Sequence, residues 1–211
     1  MLDILNKEDQ SMQIEEDQSM QIEEDHMIQI KEYLTMLDLI MEIDLESLPE
    51  VSKKGKLTVI TQPGLRYAQA EAIMESILLD EQFQELSARD RKRILDRLLS
   101  EIRGRMMEDI ILLETRLASP DKKVFKLQFP IGEFDMVVCD TRELTCKIYE
   151  VKYSKEQVAE QFRHLNDDEK CFMTSHRYGD IVGKYVIYRG EPAEFDGISY
   201  LNVEDYLKSL K

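Results

Sequence analysis

Hydrophobic and polar residues follow two different patterns along the chain, and the pattern changes near residue 120. Before that point apolar residues recur at the spacing of an α-helix. Ser87 is a suitable N-cap for one of these helices. The pattern predicts helices over Ile30–Ile43, Leu65–Leu79 and Ala88–Arg103, and a further helix that ends near Ala118. It also predicts a short helix or turn over Asp80–Ser87 and a short strand over 57–61.

After Ser119-Pro120 the alternation has a period of two, which is typical of β-strands. The short segment Asp140–Leu144 between two such runs predicts an antiparallel hairpin. Helical spacing returns after the hairpin and again at the C-terminus. The predicted elements are strands over Val124–Phe129, Phe134–Cys139 and Thr145–Tyr153, a helix from Ser154 to about Leu165, strands over Tyr185–Tyr188 and Ile198–Leu201, and a terminal helix from Val203. Helices around one sheet predict an α/β or α+β fold.

The first 31 residues contain an eight-residue repeat, with EDQSMQIE at 8–15 and 16–23 and EDHMIQIK at 24–31. A period of eight matches neither a heptad nor a common solenoid. We expect residues 1–31 to be an acidic, poorly packed tail, with a docking segment as the alternative. Residues 32–100 are then a small, mostly helical linker module, and residues 101–211 a separate α+β domain.

The net charge of −15 is concentrated at the N-terminus. Residues 1–50 contain two basic and 15 acidic residues, whereas residues 101–211 contain 17 basic and 21 acidic residues. The body of the chain is therefore close to neutral. This distribution neither excludes a nucleic-acid partner nor argues for one, because proteins that bind DNA strongly usually carry a basic face.

The sequence contains no apolar run of 18 residues, which predicts that the chain has no membrane span. The first residues lack the basic and apolar regions of a signal peptide, so we expect a cytoplasmic protein. Three cysteines without Cys-x-x-Cys spacing indicate reduced thiols. The three histidines form no cluster with them, which argues against a structural zinc site.

The predicted hairpin carries a set of residues suited to metal-assisted chemistry. Glu150 and Lys152 are two residues apart in one strand and therefore share a face, and Asp135 lies on the preceding strand. Two carboxylates can hold Mg²⁺ or Mn²⁺, and a neighbouring lysine can stabilise the charge of a phosphodiester during hydrolysis. The alternative is an exposed Glu–Lys pair that contributes little energy.

The strings GEFDMVV and IYEVKYS resemble the PD-(D/E)XK nuclease superfamily. The resemblance covers about residues 101–211 and implies a restriction-endonuclease-like α-β-β-β-α-β core. It implies that Asp135 and Glu150 bind Mg²⁺ or Mn²⁺ and that Lys152 is the catalytic lysine. Phe134 stands where the family pattern usually has proline, a departure that many members share.

Two further residues enter through this resemblance. Glu108, in the helix that contains GRMMED, matches a position that often completes the metal site. Gln161, on the predicted helix after the third strand, matches a place where related nucleases carry a glutamine beside the site. For both residues the alternative is an ordinary solvated helix position.

A wider likeness begins near residue 31, where YLTMLDLIMEI, ITQPGLRYAQAEAI and GRMMED are followed by the hairpin strings. Together they resemble the C-terminal region of prokaryotic AAA-type ATPases that carry a nuclease-like domain. The sequence lacks the P-loop pattern GxxxxGK[ST], so the resemblance implies a P-loop ATPase as a partner. Within TQPGLRYAQA, Arg66 and Tyr67 are expected either to contact a phosphate or the ATPase, or to pack the helical module.

These observations lead to two expectations of function. The first is a Mg²⁺-dependent phosphodiesterase or DNA endonuclease of the PD-(D/E)XK type. The second is a catalytically idle nuclease-fold module that serves an AAA-type ATPase system through binding.

Overall fold

The structure, a computed structural model, describes residues 25–50, 55–157 and 162–211. The chain divides into two compact units, Met1–Ile40 and Met41–Lys211. In the first unit, residues 25–36 form helix α1. Residues 1–24, which hold the two identical octapeptides, lie outside the described residues, so the prediction of a poorly packed tail stays open there.

Helix α1 ends earlier than the predicted helix Ile30–Ile43. Asp38 adopts a left-handed backbone conformation with φ 52°, and the Leu39 amide donates to the Leu34 carbonyl at 2.9 Å. These features form a Schellman motif, in which Asp38 takes the position usually held by glycine. The prediction was therefore wrong beyond residue 36, and strand β1 (Ile40–Ser47) begins where the helix was expected to continue.

The remaining elements belong to the second unit. The strands are β2 (Gly55–Ile60), β3 (Lys123–Gln128), β4 (Glu133–Asp140), β5 (Thr145–Lys152), β6 (Asp180–Tyr188), β7 (Ala193–Phe195) and β8 (Ile198–Asn202). The helices are α2 (Pro63–Leu79), α3 (Glu81–Glu85), α4 (Ala88–Ala118), α5 (Asp168–Tyr178) and α6 (Val203–Ser209). The fold is therefore mixed α and β around one sheet, as the sequence predicts.

The sheet has eight strands in the order β2-β1-β3-β4-β5-β6-β8-β7. Strands β3, β4 and β5 are antiparallel neighbours, which confirms the predicted hairpin, and β6 pairs with β5 in parallel. Strand β1 joins β3 in parallel, so the segment predicted as a helical module also contributes strands to the sheet. A parallel connection needs a crossover, and helices α2 to α4 lie between β2 and β3 in the chain.

Each face of the sheet has its own apolar core. On one face α4 packs through Met107, Ile111 and Leu112 against residues of β3, β4 and β5. On the other face α5 contributes Cys171 and Met173 to a cluster of aliphatic, cysteine, phenylalanine and tyrosine side chains. The central strands are consequently buried on both sides, and polar groups among them require partners.

Helix α4 runs without interruption for 31 residues, so residues 100 and 101, the predicted domain boundary, lie within one helix. The Ser87 hydroxyl accepts a hydrogen bond from the Asp90 amide at 3.1 Å, which confirms Ser87 as the N-cap. Arg66 of α2 forms an ion pair of 2.7 Å with Asp109 of α4. Arg66 thus joins two helices, which agrees with the packing alternative.

The segment after β5 differs from the prediction. Residues 154–157 and 162–165 are not helical, and residues 158–161 lie outside the described residues. The Ser154 hydroxyl accepts from the Glu156 amide at 2.9 Å, which forms a local turn instead of a helix cap. The unpredicted helix α5 follows, with Asp167 as its N-cap. Among the described residues, no helix is both long enough and apolar enough to span a bilayer.

Candidate active site

The candidate residues Glu108, Asp135, Glu150 and Lys152 line one cavity of about 410 Å³. Glu108 comes from α4, Asp135 from β4, and the other two from β5. The sequence placed Glu150 and Lys152 on one side of a strand with Asp135 near them, and the structure brings these side chains together. Glu108 joins them because α4 packs across the sheet.

A β-bulge sets the direction of Asp135. Phe125 pairs with Val137 and Leu127 pairs with Phe134, so two residues of β4, Asp135 and Met136, lie opposite Lys126 alone. A bulge bends the strand and redirects a side chain, and bulges are frequent beside functional sites.

Asp135 is only 8% exposed, and the backbone amide of Val151 donates a hydrogen bond of 2.8 Å to its Oδ2. This bond ties β4 to β5 at the site. Burial raises the pKa of Asp135, while Lys152 and the Val151 amide oppose the increase. Because burial has the larger effect on this pKa, any further positive charge in the cavity would stabilise the ionised form of the Asp135 carboxyl group.

Glu150 is the least satisfied of these acids. Its Oε1 lies 2.5 Å from Lys152 Nζ, whereas its buried Oε2 has no hydrogen-bond partner among the described residues. Burial, followed by the charge of Asp135, raises the pKa of Glu150 to about 8. A buried carboxylate oxygen without a partner is costly, and such an atom calls for a ligand.

Lys152 remains a cation in this setting. Burial lowers its pKa, but the carboxylates of Glu150 and Asp135 outweigh burial, and the net change is an increase. Its ammonium group is therefore a donor near neutral pH. Lys152 fits the role of stabilising negative charge better than the role of a general base.

Sequence reasoning missed Lys126, a buried lysine of β3. Its ammonium nitrogen lies 2.8 Å from Glu133 Oε1, 3.6 Å from Glu108 Oε2 and 3.8 Å from Asp135 Oδ1. Burial lowers the pKa of Lys126, and these three carboxylates raise it more strongly. In the sequence, Lys126 is one polar residue in an alternating strand, so only the bulge reveals its place.

Of the two residues that entered through the resemblance, the structure describes Glu108 but not Gln161. Burial, and next the charge of Asp135, raises the pKa of Glu108, which places its carboxylate in the same electrostatic environment. Glu108 also lies 3.9 Å from the Arg105 guanidinium. Gln161 lies outside the described residues, so its predicted position beside the site stays a prediction.

His164 also lines the cavity, and sequence reasoning did not include it. Its Nδ1 is 2.6 Å from the ammonium nitrogen of Lys170, a buried residue of α5. Burial and the charge of Lys170 lower the pKa of His164. His164 is therefore a neutral ring at the edge of the cavity, held in place by Lys170.

The donor set fits a hard divalent cation in its chemistry. Five carboxylates line the cavity, against Arg105 and Lys152 as its positively charged lining residues within the described part of the chain. Carboxylate oxygens are the ligands that Mg²⁺ and Mn²⁺ prefer. In the described residues, no three acidic, histidine or cysteine side chains are already arranged to hold an ion. Lys126 and Lys152 already form ion pairs with carboxylates of the site, so a bound cation would compete with them for the same oxygens.

Comparisons with known proteins leave this site to be interpreted from its own geometry. No protein-family model, curated protein or solved structure matches the chain. The likeness to the PD-(D/E)XK superfamily consequently rests on the residues themselves, chiefly Asp135, Glu150 and Lys152.

Proposed function

We propose that the chain is a divalent-metal-dependent phosphodiesterase of the PD-(D/E)XK type, with nucleic acid as its substrate and the cytoplasm as its site of action. One observation carries the proposal: Asp135, Glu150 and Lys152 meet in one cavity in which Glu150 Oε2 has no partner among the described residues. The order α4-β3-β4-β5-α5-β6 supports a restriction-endonuclease-like core.

In this proposal Asp135, Glu150 and Glu108 hold the cation. When bound, Mg²⁺ or Mn²⁺ supplies a Lewis acid that activates water and offsets phosphate charge. Lys152 donates to the phosphate oxygens or to the attacking water and stabilises the negative charge that develops. The Val151 amide keeps the Asp135 carboxylate oriented through Oδ2.

Lys126 has a supporting part in the same mechanism. It is close to Glu108, Glu133 and Asp135, and its charge reduces the repulsion among carboxylates that must stay together. It does not reach the substrate in this scheme. We therefore regard Lys126 as a positioning residue.

Cleavage of plasmid and single-stranded DNA in Mg²⁺ or Mn²⁺ tests this proposal. Lys152→Ala and Asp135→Asn should each abolish detectable cleavage, because one removes the donor and the other a cation ligand. Lys208→Ala and Asp205→Asn are matched controls on the exposed face of α6 and should leave the rate unchanged. Absent cleavage in the wild type, or equal cleavage in all variants, would exclude the enzymatic function.

A second candidate function is a catalytically idle module that binds an AAA-type P-loop ATPase. The ion pairs of Lys126 and Lys152 favour it, since they already balance part of the acidic charge without a cation. Under this hypothesis metal ions leave the protein unchanged in stability and DNA stays intact. The cleavage experiment therefore separates the two functions.

A further inference from the structure

A second cavity, of about 370 Å³, lies next to the candidate active site and shares the Tyr153 side chain with it. Tyr153 directly follows Lys152 at the end of β5. Tyr67 of α2, which belongs to the string TQPGLRYAQA, also lines this second cavity. We call this the tyrosine cavity, defined by Tyr67, Tyr153, Arg103 and Arg189.

Two guanidinium groups lie over the two rings of the tyrosine cavity. The Arg189 guanidinium is 4.4 Å from the centre of the Tyr153 ring, and the Arg103 guanidinium is 5.9 Å from the centre of the Tyr67 ring. Both tyrosines are half-buried and both arginines are exposed. Cation–π contacts of this kind hold ring planes in place while the charge stays accessible.

Much of the lining of the tyrosine cavity is apolar. Met106 and Ile110 of α4 and Leu207 of α6 contribute to it. The volume is in the range of small-molecule sites, which combine apolar walls with a few polar groups. An apolar lining, two aromatic rings and two arginines together suit a flat ligand that has an anionic group attached.

We propose that the tyrosine cavity binds an unpaired nucleobase of a single-stranded nucleic acid whose phosphodiester lies in the candidate active site. Bases stack on aromatic rings and on arginine planes regardless of sequence, and arginines contact the adjoining phosphates. A base paired in a duplex cannot enter such a pocket unless it is extruded. The inference rests on the proposed function and names its substrate class.

The test is the affinity of the full chain for a short oligonucleotide in EDTA, measured by fluorescence anisotropy. Single-stranded DNA, single-stranded RNA and a duplex of the same sequence are compared. Tyr67→Leu should weaken single-strand binding by about tenfold, because a stacked base contributes on the order of one factor of ten in affinity. Tyr67→Phe keeps the ring and should bind as the wild type does.

Arg189→Gln provides a second measurement that does not depend on the tyrosine change. It should weaken binding and reduce its salt dependence, whereas Arg93→Gln, at an exposed arginine of α4, should change neither. Tighter binding of the DNA single strand or of the RNA single strand identifies which type of nucleic acid the cavity accepts. Equal affinity of wild type and Tyr67→Leu, or duplex binding as tight as single-strand binding, would overturn the inference.

Failure of the inference can be told apart from failure of the proposed function. Cleavage in Mn²⁺ and single-strand affinity in EDTA are measured separately on the wild type and on Tyr67→Leu. If the wild type cuts DNA while Tyr67→Leu binds normally, only the tyrosine cavity has been misassigned. If Tyr67→Leu loses binding and the wild type never cuts, the cavity stands and the enzymatic function fails.

Discussion

At the scale of single residues, the candidate site is a balance between carboxylates and two lysines, of which Lys126 is buried and Lys152 is partly exposed. Lys126 offsets Glu108, Glu133 and Asp135, and Lys152 offsets Glu150. Removal of one partner from a buried ion pair leaves the other charge uncompensated, which costs more than the pair contributes. A substitution on either side of this balance therefore leaves charge on the other side uncompensated.

Lys126→Met tests the positive side of the balance. We expect the free energy of unfolding to fall by about 3 kcal/mol, because methionine keeps the apolar length of the side chain but removes the buried charge that offsets Glu108, Glu133 and Asp135. Urea denaturation in EDTA measures the change. Lys122→Met, at a half-exposed lysine that lies 3.9 Å from Asp140, is the control and should change stability by less than about 1 kcal/mol. Equal effects of the two substitutions would contradict the role of Lys126.

Glu150→Gln tests the negative side through pH. Because the pKa of Glu150 is raised to about 8, the folded protein binds more protons than the unfolded chain between the ordinary carboxyl pKa and that value. The free energy of unfolding of the metal-free wild type should therefore fall as pH rises through this window. In Glu150→Gln the fall should be smaller. A wild type that gains stability over this window would contradict the pKa direction.

The residues of the site differ in how far the sequence predicts them. Strand alternation places Glu150 and Lys152 on one side of β5, and the hairpin brings Asp135 close to them. Alternation cannot place Lys126, because the bulge gives β4 one residue more than β3 at that point. A bulge depends on pairing between strands, which a local pattern does not record.

At the scale of elements, α4 holds the site to the sheet. One stretch of the helix carries Glu108 into the cavity, and the following turns bury Ile111 and Leu112 against the strands. The position of Glu108 therefore depends on apolar packing close to it. Loss of that packing should lower the free energy of unfolding and displace the Glu108 carboxylate from the cavity.

Ile111→Ala should lower the free energy of unfolding by about 3 kcal/mol, because Ile111 is fully buried and its removal leaves a cavity. The matched control is Ile94→Ala in the same helix, where the side chain is 41% exposed. The control should lose less than about 1 kcal/mol. Chemical denaturation of both variants makes the comparison, and equal losses would contradict the packing of α4 on the sheet.

Three elements escaped prediction, namely α5, β1 and the short strand β7, and for α5 and β1 the reason can be identified. The fully buried positions of α5 are Lys170 and Thr174, so two residues that a periodicity pattern counts as polar form part of the inner face of this helix. Strand β1 follows a helix that ends at Asp38, and the expected glycine signal is absent there. Both elements are specified by tertiary contacts: Lys170 by His164, and β1 by its parallel pairing with β3.

At the scale of the whole molecule, one mixed sheet positions the candidate site and the tyrosine cavity. Strands β3 to β5 bring the charged residues of the candidate site together, and the helices on both faces keep water from most of the sheet. The tyrosine cavity joins this site through Tyr153. A divalent cation and a single-stranded nucleic acid would thus bind to neighbouring parts of one surface. Each of these ligands should alter the affinity of the protein for the other.

The most direct measurement of the central claim is the binding of Mn²⁺ to the full chain by titration calorimetry. The wild type should bind the ion saturably, and Asp135→Asn and Glu150→Gln should each weaken binding by about tenfold or more. Asp205→Asn, at an exposed position of α6, should bind as the wild type does. An absence of saturable binding, or equal affinity in all four proteins, would contradict a metal site built on Asp135 and Glu150.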